Sequence, residues 1–282
     1  MEYKKGFKIK PSSVSAIGIV LFTDGTNNDL IPNQAACEAY GYKYDRDTGT
    51  CRAYQHVNLD KAFGDLTNKK QGELNKTGHS THNTMLIGRN NKTFGNNENC
   101  LVTGENNIID NDVKEATITG SYGKATRTGE FVIGGGSYGD NDSITQTSIY
   151  HLSNSSTGSD VTLYCNYNTA DSEQILIPKN SICIYEIYIT GLCIGGSSGT
   201  AGHYQARKLY GTLLCYNNGA FVHDAHSNED ITTSGTTGTV AIDTTTAYTF
   251  SVQVSAVTNV SVQWNATVKL YINQTNRVSL TP

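Results

Sequence analysis

Histidines and adjacent carboxylates are the side chains of this sequence whose spacing could support chemistry. The chain has 7 histidines, and two pairs share the spacing H-x-x-H: His79 with His82, and His223 with His226. On a helix this spacing would place both imidazole rings on one face, where they could ligate a metal ion. Neither pair lies in a helical pattern, so we interpret them as polar loop histidines. The sequence therefore predicts no metal site and no cofactor.

Paired carboxylates would be needed to hydrolyse a glycosidic bond, and in such sites they stand about 5–9 Å apart. The nearest candidates are Asp140 with Asp142 and Glu229 with Asp230. Both pairs lie in turn-like segments, where an aspartate serves the backbone. The chain has no G-x-S-x-G or P-loop motif and no dinucleotide-binding motif between a strand and a helix. We expect no catalytic residues and predict that the protein is not an enzyme.

The composition indicates which elements must position these residues. Of 282 residues only 16% are charged and 37% hydrophobic, while 28 are glycine and the net charge is −4. The negative charge excludes a nucleic-acid binder that depends on a basic field. No apolar run is long enough to span a membrane, and we interpret Ala16–Phe22 as a strand entering a hairpin. Many turns and few helices are expected, which favours an all-β fold.

The cysteines supply one local constraint. None of the 7 forms a C-x-x-C pair, so the usual zinc and redox spacings are absent. Cys37 and Cys51 bracket a tyrosine-rich segment with a turn signal inside it. This pair is either a disulfide that closes the loop or two buried thiols of a small hairpin.

An internal repeat occupies the middle of the chain. Short apolar runs end in Gly88, Gly104, Gly120 and Gly134, which are 16, 16 and 14 residues apart. A repeat of this length fits one coil of a β-solenoid, and asparagines in the turns can stack between coils. The predicted core positions are Leu86, Val102, Ile118 and Val132. One coil cannot bury its own apolar column, so about four coils need outside support, for example from neighbouring subunits.

Residues 137–282 read as a separate all-β domain. Near its end, apolar and polar residues alternate strictly, which predicts strands with one buried and one solvated face. The predicted core consists of Phe250, Val252, Val254, Val262, Trp264, Ala266, Val268 and Leu270. Ile182–Ile189 is apolar on both faces and is expected to lie centrally or against a neighbouring chain. Several short strands joined by Gly- and Ser-rich turns indicate a β-sandwich of the jelly-roll kind.

Four segments follow from these patterns. They are an N-terminal segment (1–34), a Cys-bracketed hairpin region with a linker (35–82), the β-roll repeats (83–136) and the C-terminal β-sandwich domain (137–282). The polar stretch 61–82, which contains Lys69–Gly72, is the expected linker.

The repeats and the segments around them resemble a known family. Asn83–Gly136 resembles the β-roll of trimeric bacterial adhesin heads, which is reused in fibre and appendage proteins of tailed phages. Gly123–Gly136 is similar to the junction between this roll and the C-terminal domain of such fibres, and the Cys37–Cys51 segment resembles one that precedes the roll. The C-terminal matches, in order, are Ile177–Ser181, Ile182–Ile189, Ala201–Gln205 and Val262–Ala266.

The resemblance implies a homotrimeric structural protein of the virion, assembled in the bacterial host cytoplasm. Its rolls would pack side by side, residues 1–34 would bind other virion proteins on the head, neck or tail, and the C-terminal domain would adhere to a host surface glycan or receptor. Neither nucleic acid nor membrane insertion is expected. The alternative is a virion-associated glycan hydrolase, as in a tailspike depolymerase. A bacterial surface adhesin would need a secretion signal or anchor, and we identify neither.

Overall fold

The computed structural model describes residues 2–15, 18–46, 48–53, 67–137, 144–165, 174–235 and 237–282. By its internal contacts the chain divides into two units, Met1–Phe63 and Gly64–Pro282. Regular structure in the described residues is almost entirely β, which confirms the expected all-β class.

The first unit consists of two small hairpins and a short helix. Its elements are β1 (Lys10–Val14), β2 (Val20–Thr23), α1 (Gln34–Ala39), β3 (Lys43–Asp45) and β4 (Thr50–Arg52). The β1–β2 hairpin includes part of the apolar run expected to enter a hairpin, although residues 16 and 17 lie outside the described ranges. Asn33 caps α1 by accepting a hydrogen bond from the backbone amide of Ala36 at 2.9 Å.

A disulfide crosslinks this unit. Cys37 on α1 and Cys51 on β4 are bonded, with an S–S distance of 2.08 Å. Both are fully buried beside Val20 and Phe22. Because so small a core contributes little burial, the crosslink is a main source of stability for this unit.

The second unit begins with a parallel β-solenoid. Its strands are β5 (Lys69–Glu73), β6 (Met85–Arg89), β7 (Lys92–Thr93), β8 (Leu101–Glu105), β9 (Ile108–Ile109), β10 (Thr117–Ser121), β11 (Lys124–Ala125) and β12 (Phe131–Gly135). The longer strands pair in parallel register in the order β5-β6-β8-β10-β12, and β7, β9 and β11 form a side sheet. Val102 therefore stacks between Leu86 and Ile118, with each residue of this column fully buried.

The solenoid starts one coil earlier than the repeat predicts. Lys69–Glu73, expected to lie in a linker, is a strand in register with Met85–Arg89. The apolar pattern missed it because the sequence of this strand is Lys-Lys-Gln-Gly-Glu. Its pairing depends on backbone hydrogen bonds and on Gly72, which lies against Gly88 as the later glycines lie against one another. Residues 61–66 of the expected linker lie outside the described ranges.

A ladder of asparagines, of which Asn91 and Asn107 are fully buried, accepts hydrogen bonds from backbone amides in the turns of the solenoid. The Oδ1 atom of Asn75 accepts a hydrogen bond from the backbone amide of Asn91 at 3.0 Å, and Oδ1 of Asn91 accepts one from Asn107 at 3.1 Å. Oδ1 of Asn107 accepts from the amide of Gly123 at 2.8 Å. The ladder ends there, because any Cβ at Gly123 would crowd the side chain of Ile118.

The C-terminal region continues the sheet of the solenoid. Its strands are β13 (Thr145–Ser156), β14 (Asp160–Thr162), β15 (Tyr164–Cys165), β16 (Ile175–Leu176), β17 (Ser181–Gly195), β18 (Tyr204–Cys215), β19 (Phe221–Ser234), β20 (Gly238–Asp243), β21 (Thr249–Ala256) and β22 (Ser261–Gln274). β12 pairs antiparallel with β13, and the sheet goes on through β22, β17, β18 and β19. One sheet of 11 strands, the long sheet, therefore crosses the boundary expected between the roll and the C-terminal domain, while each of the two regions has its own buried cluster.

A second sheet packs on the inner face of the long sheet. It contains β14, β16, β20 and β21. Phe250, Val252 and Val254 of β21 belong to the same buried cluster as the inward side chains of β22. The indole of Trp264 is fully buried, lies against the backbone of Gly191 and donates a hydrogen bond to Oγ of Ser156 at 3.0 Å.

Substituting Gly104→Ala should destabilise the solenoid strongly. The Cβ would overlap the carbonyl oxygen of Gly120, and φ at this position is +118°. We expect the free energy of unfolding to fall by about 2–6 kcal/mol, which urea titration followed by Trp264 fluorescence would measure. Gly129→Ala is the matched control, since φ is +71° but no atom lies within 4 Å of the added Cβ. It should cost only about 1–2 kcal/mol. Equal losses in the two variants would disprove the close-stacking explanation.

Candidate functional site

One face of the long sheet is apolar and exposed. Side chains of β17 alternate between the core and the opposite side, and the latter include Ile182, Ile184, Tyr188 and Leu192, which are 48–51% exposed. β17 lies centrally between β22 and β18, as expected for a strand that is apolar on both faces. Its second apolar face is not covered by any described residue of the chain.

The same face continues onto the solenoid. Phe131 and Ile133 of β12 are 38% and 46% exposed and stand opposite Ile149 and Thr147 of β13. We define the outward face as the side of the long sheet that carries Leu101, Phe131, Ile133, Ile182, Ile184, Tyr188, Leu192, Tyr204, Tyr210 and Tyr271. An exposed sheet face that carries this many large apolar side chains is typical of an interaction site.

Two lysines on the outward face have partners on the same face. Nζ of Lys208 lies 3.9 Å from Oε1 of Glu186 and 5.2 Å from the ring centre of Tyr210. Nζ of Lys269 lies 4.6 Å from the ring centre of Tyr271, and their hydrogen bond raises the pKa of the lysine. Because these charges already have partners, covering the face would not strand isolated charges.

The two histidine pairs occupy different environments. His79 and His82 lie in solenoid turns, where each bridges to a different residue of the next coil. His223 and His226, expected in a loop, lie instead on strand β19 with ring centres 4.8 Å apart. Nε2 of His223 is 2.6 Å from the hydroxyl of Tyr185. Desolvation, with a smaller effect of His226, lowers the pKa of His223, which favours the neutral ring.

Of the two carboxylate pairs that the sequence suggested, one lies on a strand with hydrogen-bond and ion-pair partners, and the other lies outside the described residues. Glu229 and Asp230, expected in a turn, belong to β19. Oε1 of Glu229 accepts a hydrogen bond from the hydroxyl of Tyr210 at 3.0 Å, and Oδ1 of Asp230 lies 2.6 Å from Nε of Arg207. Glu229 and Asp230 resemble a turn in the sequence because polar residues dominate their strand. Asp140 and Asp142 lie outside the described residues.

A buried carboxyl group that the sequence did not reveal lies at the end of the solenoid. Glu130 is 1% exposed, and its Oε2 accepts the backbone amides of Thr126 and Arg127 at 2.7 and 3.2 Å. Its Oε1 accepts the hydroxyl of Tyr150 at 2.8 Å. Burial raises the pKa of Glu130, and burial together with Glu130 raises the pKa of Tyr150. In the sequence, Glu130 lies within the expected roll junction, and no motif distinguishes it from a surface glutamate.

The residues that the sequence predicts to be core are all buried. Every one of them is at most 1% exposed: Leu86, Val102, Ile118, Val132, Phe250, Val252, Val254, Val262, Trp264, Ala266, Val268 and Leu270. The cysteines outside the disulfide are also buried, and burial raises the pKa of Cys183 to about 12 and of Cys215 to about 11. Such thiols are poor nucleophiles.

Two further features concern ligands and membranes. Within the described ranges, no group of three or more His, Cys, Asp or Glu side chains is placed to hold a metal ion. No helix in the same ranges is long and apolar enough to cross a membrane.

Comparison with known proteins gives weak structural likenesses. The chain matches no protein-family model and no curated protein. It is similar to the tailspike protein gp49 of Acinetobacter baumannii bacteriophage Fri1, a capsular polysaccharide depolymerase, with 13% identity and a TM-score of 0.28 over 75% of this chain and 38% of that one. The tailspike of A. baumannii phage AM24 has 8% identity and a TM-score of 0.25, covering 74% and 50%.

A third solved structure is of the same kind. The tailspike of Acinetobacter phage vB_ApiP_P1 has 10% identity and a TM-score of 0.25, covering 74% of this chain and 49% of that one. The chain thus spans half or less of each of the three tailspikes.

The prediction that the protein is not an enzyme is contradicted by this comparison. The first of these tailspikes is a capsular polysaccharide depolymerase. The sequence contains no catalytic motif, but the absence of a motif does not exclude carboxylates that cleave sugars. Carboxylates that cleave sugars can come from strands far apart in the chain and therefore need not form a motif.

Substituting Glu130→Gln should flatten the dependence of stability on pH. Because burial raises the pKa of Glu130 above its ordinary value of 4.5, the folded protein keeps this proton to a higher pH than the unfolded chain. Its contribution to stability is therefore complete below 4.5 and is lost as pH rises through the folded-state pKa. The thermal unfolding midpoint of wild type should fall as pH rises from 4.5 through the folded-state pKa of Glu130. The midpoint of Glu130→Gln should not show this fall.

The control for this experiment is Glu105→Gln, whose carboxylate is exposed and 3.6 Å from Arg89. This variant should keep the wild-type pH profile. If Glu130→Gln keeps it as well, the buried carboxyl is not the source of the pH dependence.

Proposed function

We propose that this chain is a phage appendage protein that assembles as a homotrimer through the outward face and engages a host surface polysaccharide. The observation that carries the proposal is the continuous apolar outward face, which extends from the solenoid to β18. The resemblance of the repeats and the C-terminal segments to trimeric phage fibres supports the number of subunits and the virion location.

Self-association accounts for the physical character of the outward face. Ile182, Ile184 and Leu192 project from the same side of β17 and are about half exposed, although the strand is central. Burying these side chains against the same face of other copies would remove apolar surface from water. No protein other than this chain is needed for that burial. A three-fold ring closes on itself, so such an assembly remains finite.

The remaining parts of the chain have roles in the same proposal. The long sheet and the second sheet, which share one core, would form the C-terminal β-sandwich displayed to the host. Residues 1–34 would attach the protein to other virion proteins. The rigid solenoid between them would transmit force, because its coils are joined by in-register strands and the asparagine ladder.

The assembly can be tested by the mass of the full chain in solution. We expect native mass spectrometry to give three times the chain mass of 30.5 kDa. Ile184→Glu places a charge in the centre of the outward face and should weaken assembly at least tenfold. The control is Ile31→Glu, which changes an isoleucine of the first unit that is 65% exposed and is not a residue of the long sheet, and it should leave the trimer intact. A stable wild-type monomer would overturn the proposal.

The glycan part of the proposal is tested with immobilised bacterial capsular polysaccharides. We expect the trimer to be retained by at least one of them. The length of the polysaccharide after incubation, measured by size-exclusion chromatography, reports in the same experiment whether bound chains are also cleaved. Failure to retain any polysaccharide would contradict host-glycan engagement.

A further inference from the structure

A cleft of about 600 Å³ opens on the inner side of the long sheet, where the solenoid meets the C-terminal region. Asn106, Asp110, Tyr122 and Lys124 line it from the solenoid. The opposite wall contains Leu176–Lys179, Ala247, Tyr248, Gln274 and Asn276. This volume lies within the range of about 300–1,000 Å³ that is typical of small-molecule sites.

The cleft exists because the side sheet of the solenoid stops at β11. The free edge of β11 is capped by a side chain instead of another strand. Nε2 of Gln146 donates to the carbonyl of Lys124 at 3.0 Å, and Oε1 of Gln146 accepts the amide of Lys124 at 2.9 Å. The gap between this edge and β16 is therefore left open, while its rim is held by an ion pair of 2.9 Å between Lys124 and Asp110.

One buried polar atom in the lining lacks a partner. Gln274 is only 8% exposed, and its Oε1 is buried without a hydrogen-bond donor among the described residues. Its backbone amide is already used, donating to the carbonyl of Ile144 at 2.8 Å. An unsatisfied buried acceptor destabilises the protein, so this atom favours a ligand that brings a hydrogen-bond donor.

The rest of the lining restricts the class of ligand. Tyr122 and Tyr248 provide aromatic surface, and the hydroxyl of Tyr248 is already committed to the carbonyl of Asn217 at 2.6 Å. Apolar ring surface of this kind packs against the C–H faces of a sugar. The unpartnered acceptor of Gln274 disfavours an anionic group beside it, whereas Asp110 is neutralised by its ion pair with Lys124. Lys179 adds one positive charge elsewhere in the lining, so the requirement for a neutral group applies to the sugar unit at Gln274. A neutral ligand with hydroxyl groups and an apolar face satisfies all of these groups.

We propose that this cleft binds a neutral sugar unit of the host polysaccharide, with Oε1 of Gln274 accepting a hydrogen bond from a sugar hydroxyl. This inference rests on the proposed function, because it assigns the site at which the glycan is held. The cleft lies on the opposite side of the long sheet from the outward face, since Gln146 and Gln274 alternate with outward residues such as Thr147 and Asn273. A trimer that buries the outward face would leave this side of each sheet free.

The test uses the full chain and an array of neutral and acidic bacterial capsular and lipopolysaccharide glycans. The neutral glycan that wild type retains best is then titrated by calorimetry against three variants. Gln274→Met removes the acceptor while keeping the side-chain size, and Tyr122→Asn removes the ring while keeping a residue that tolerates the φ of 58° found there. The matched control is Gln263→Met, on the same strand but exposed on the other side.

We expect Gln274→Met and Tyr122→Asn to bind at least tenfold more weakly than wild type, and Gln263→Met to bind equally well. The thermal midpoint of ligand-free Gln274→Met should not be below that of wild type, because the variant removes an unsatisfied buried acceptor. If both cleft variants bind within twofold of wild type, or if only acidic glycans bind, the cleft assignment is wrong and the proposed function stands. If wild type binds no glycan, the polysaccharide part of the proposed function fails first.

Discussion

The in-register stacking of coils through the solenoid glycines is the constraint on which the remaining structure depends. A Cβ at Gly88 or Gly104 would overlap the carbonyl oxygen of the next glycine, so the coils approach each other only where side chains are absent. That approach fixes the register of neighbouring strands. Once register is fixed, every second residue points to the same side in each coil, because side chains alternate along a strand.

The pairing of β12 with β13 transmits this alternation into the C-terminal region. Val132 stands opposite Ser148, which stands opposite Leu270, and Leu270 stands opposite Tyr185. All of these side chains are buried on one side of a single sheet, so the other side becomes one continuous outward face. The core and the candidate interface are thus two consequences of the same register.

The junction is also where regular stacking ends, and its polar groups reflect this. The asparagine ladder stops at Gly123, the edge of β11 is capped by Gln146, and the buried carboxyl of Glu130 binds the amides of the adjacent turn. These groups replace the strand that would have continued the side sheet. The same interruption leaves the cleft open beside Gln274, so the position of a candidate ligand site follows from the end of a repeat.

The β class, the period of the solenoid and the buried columns can be predicted from local sequence patterns. Burial of Leu86, Val102 and Trp264 follows from strict alternation and from glycine spacing, which are local properties. The apolar pattern could not place Lys69–Glu73 in the solenoid, since that strand is held by backbone pairing and not by apolar side chains. The shared sheet, the buried state of Glu130 and the unpartnered acceptor of Gln274 arise from contacts between residues far apart in the chain. These features depend on the folded chain, because distant strands bring their side chains together once the register is set.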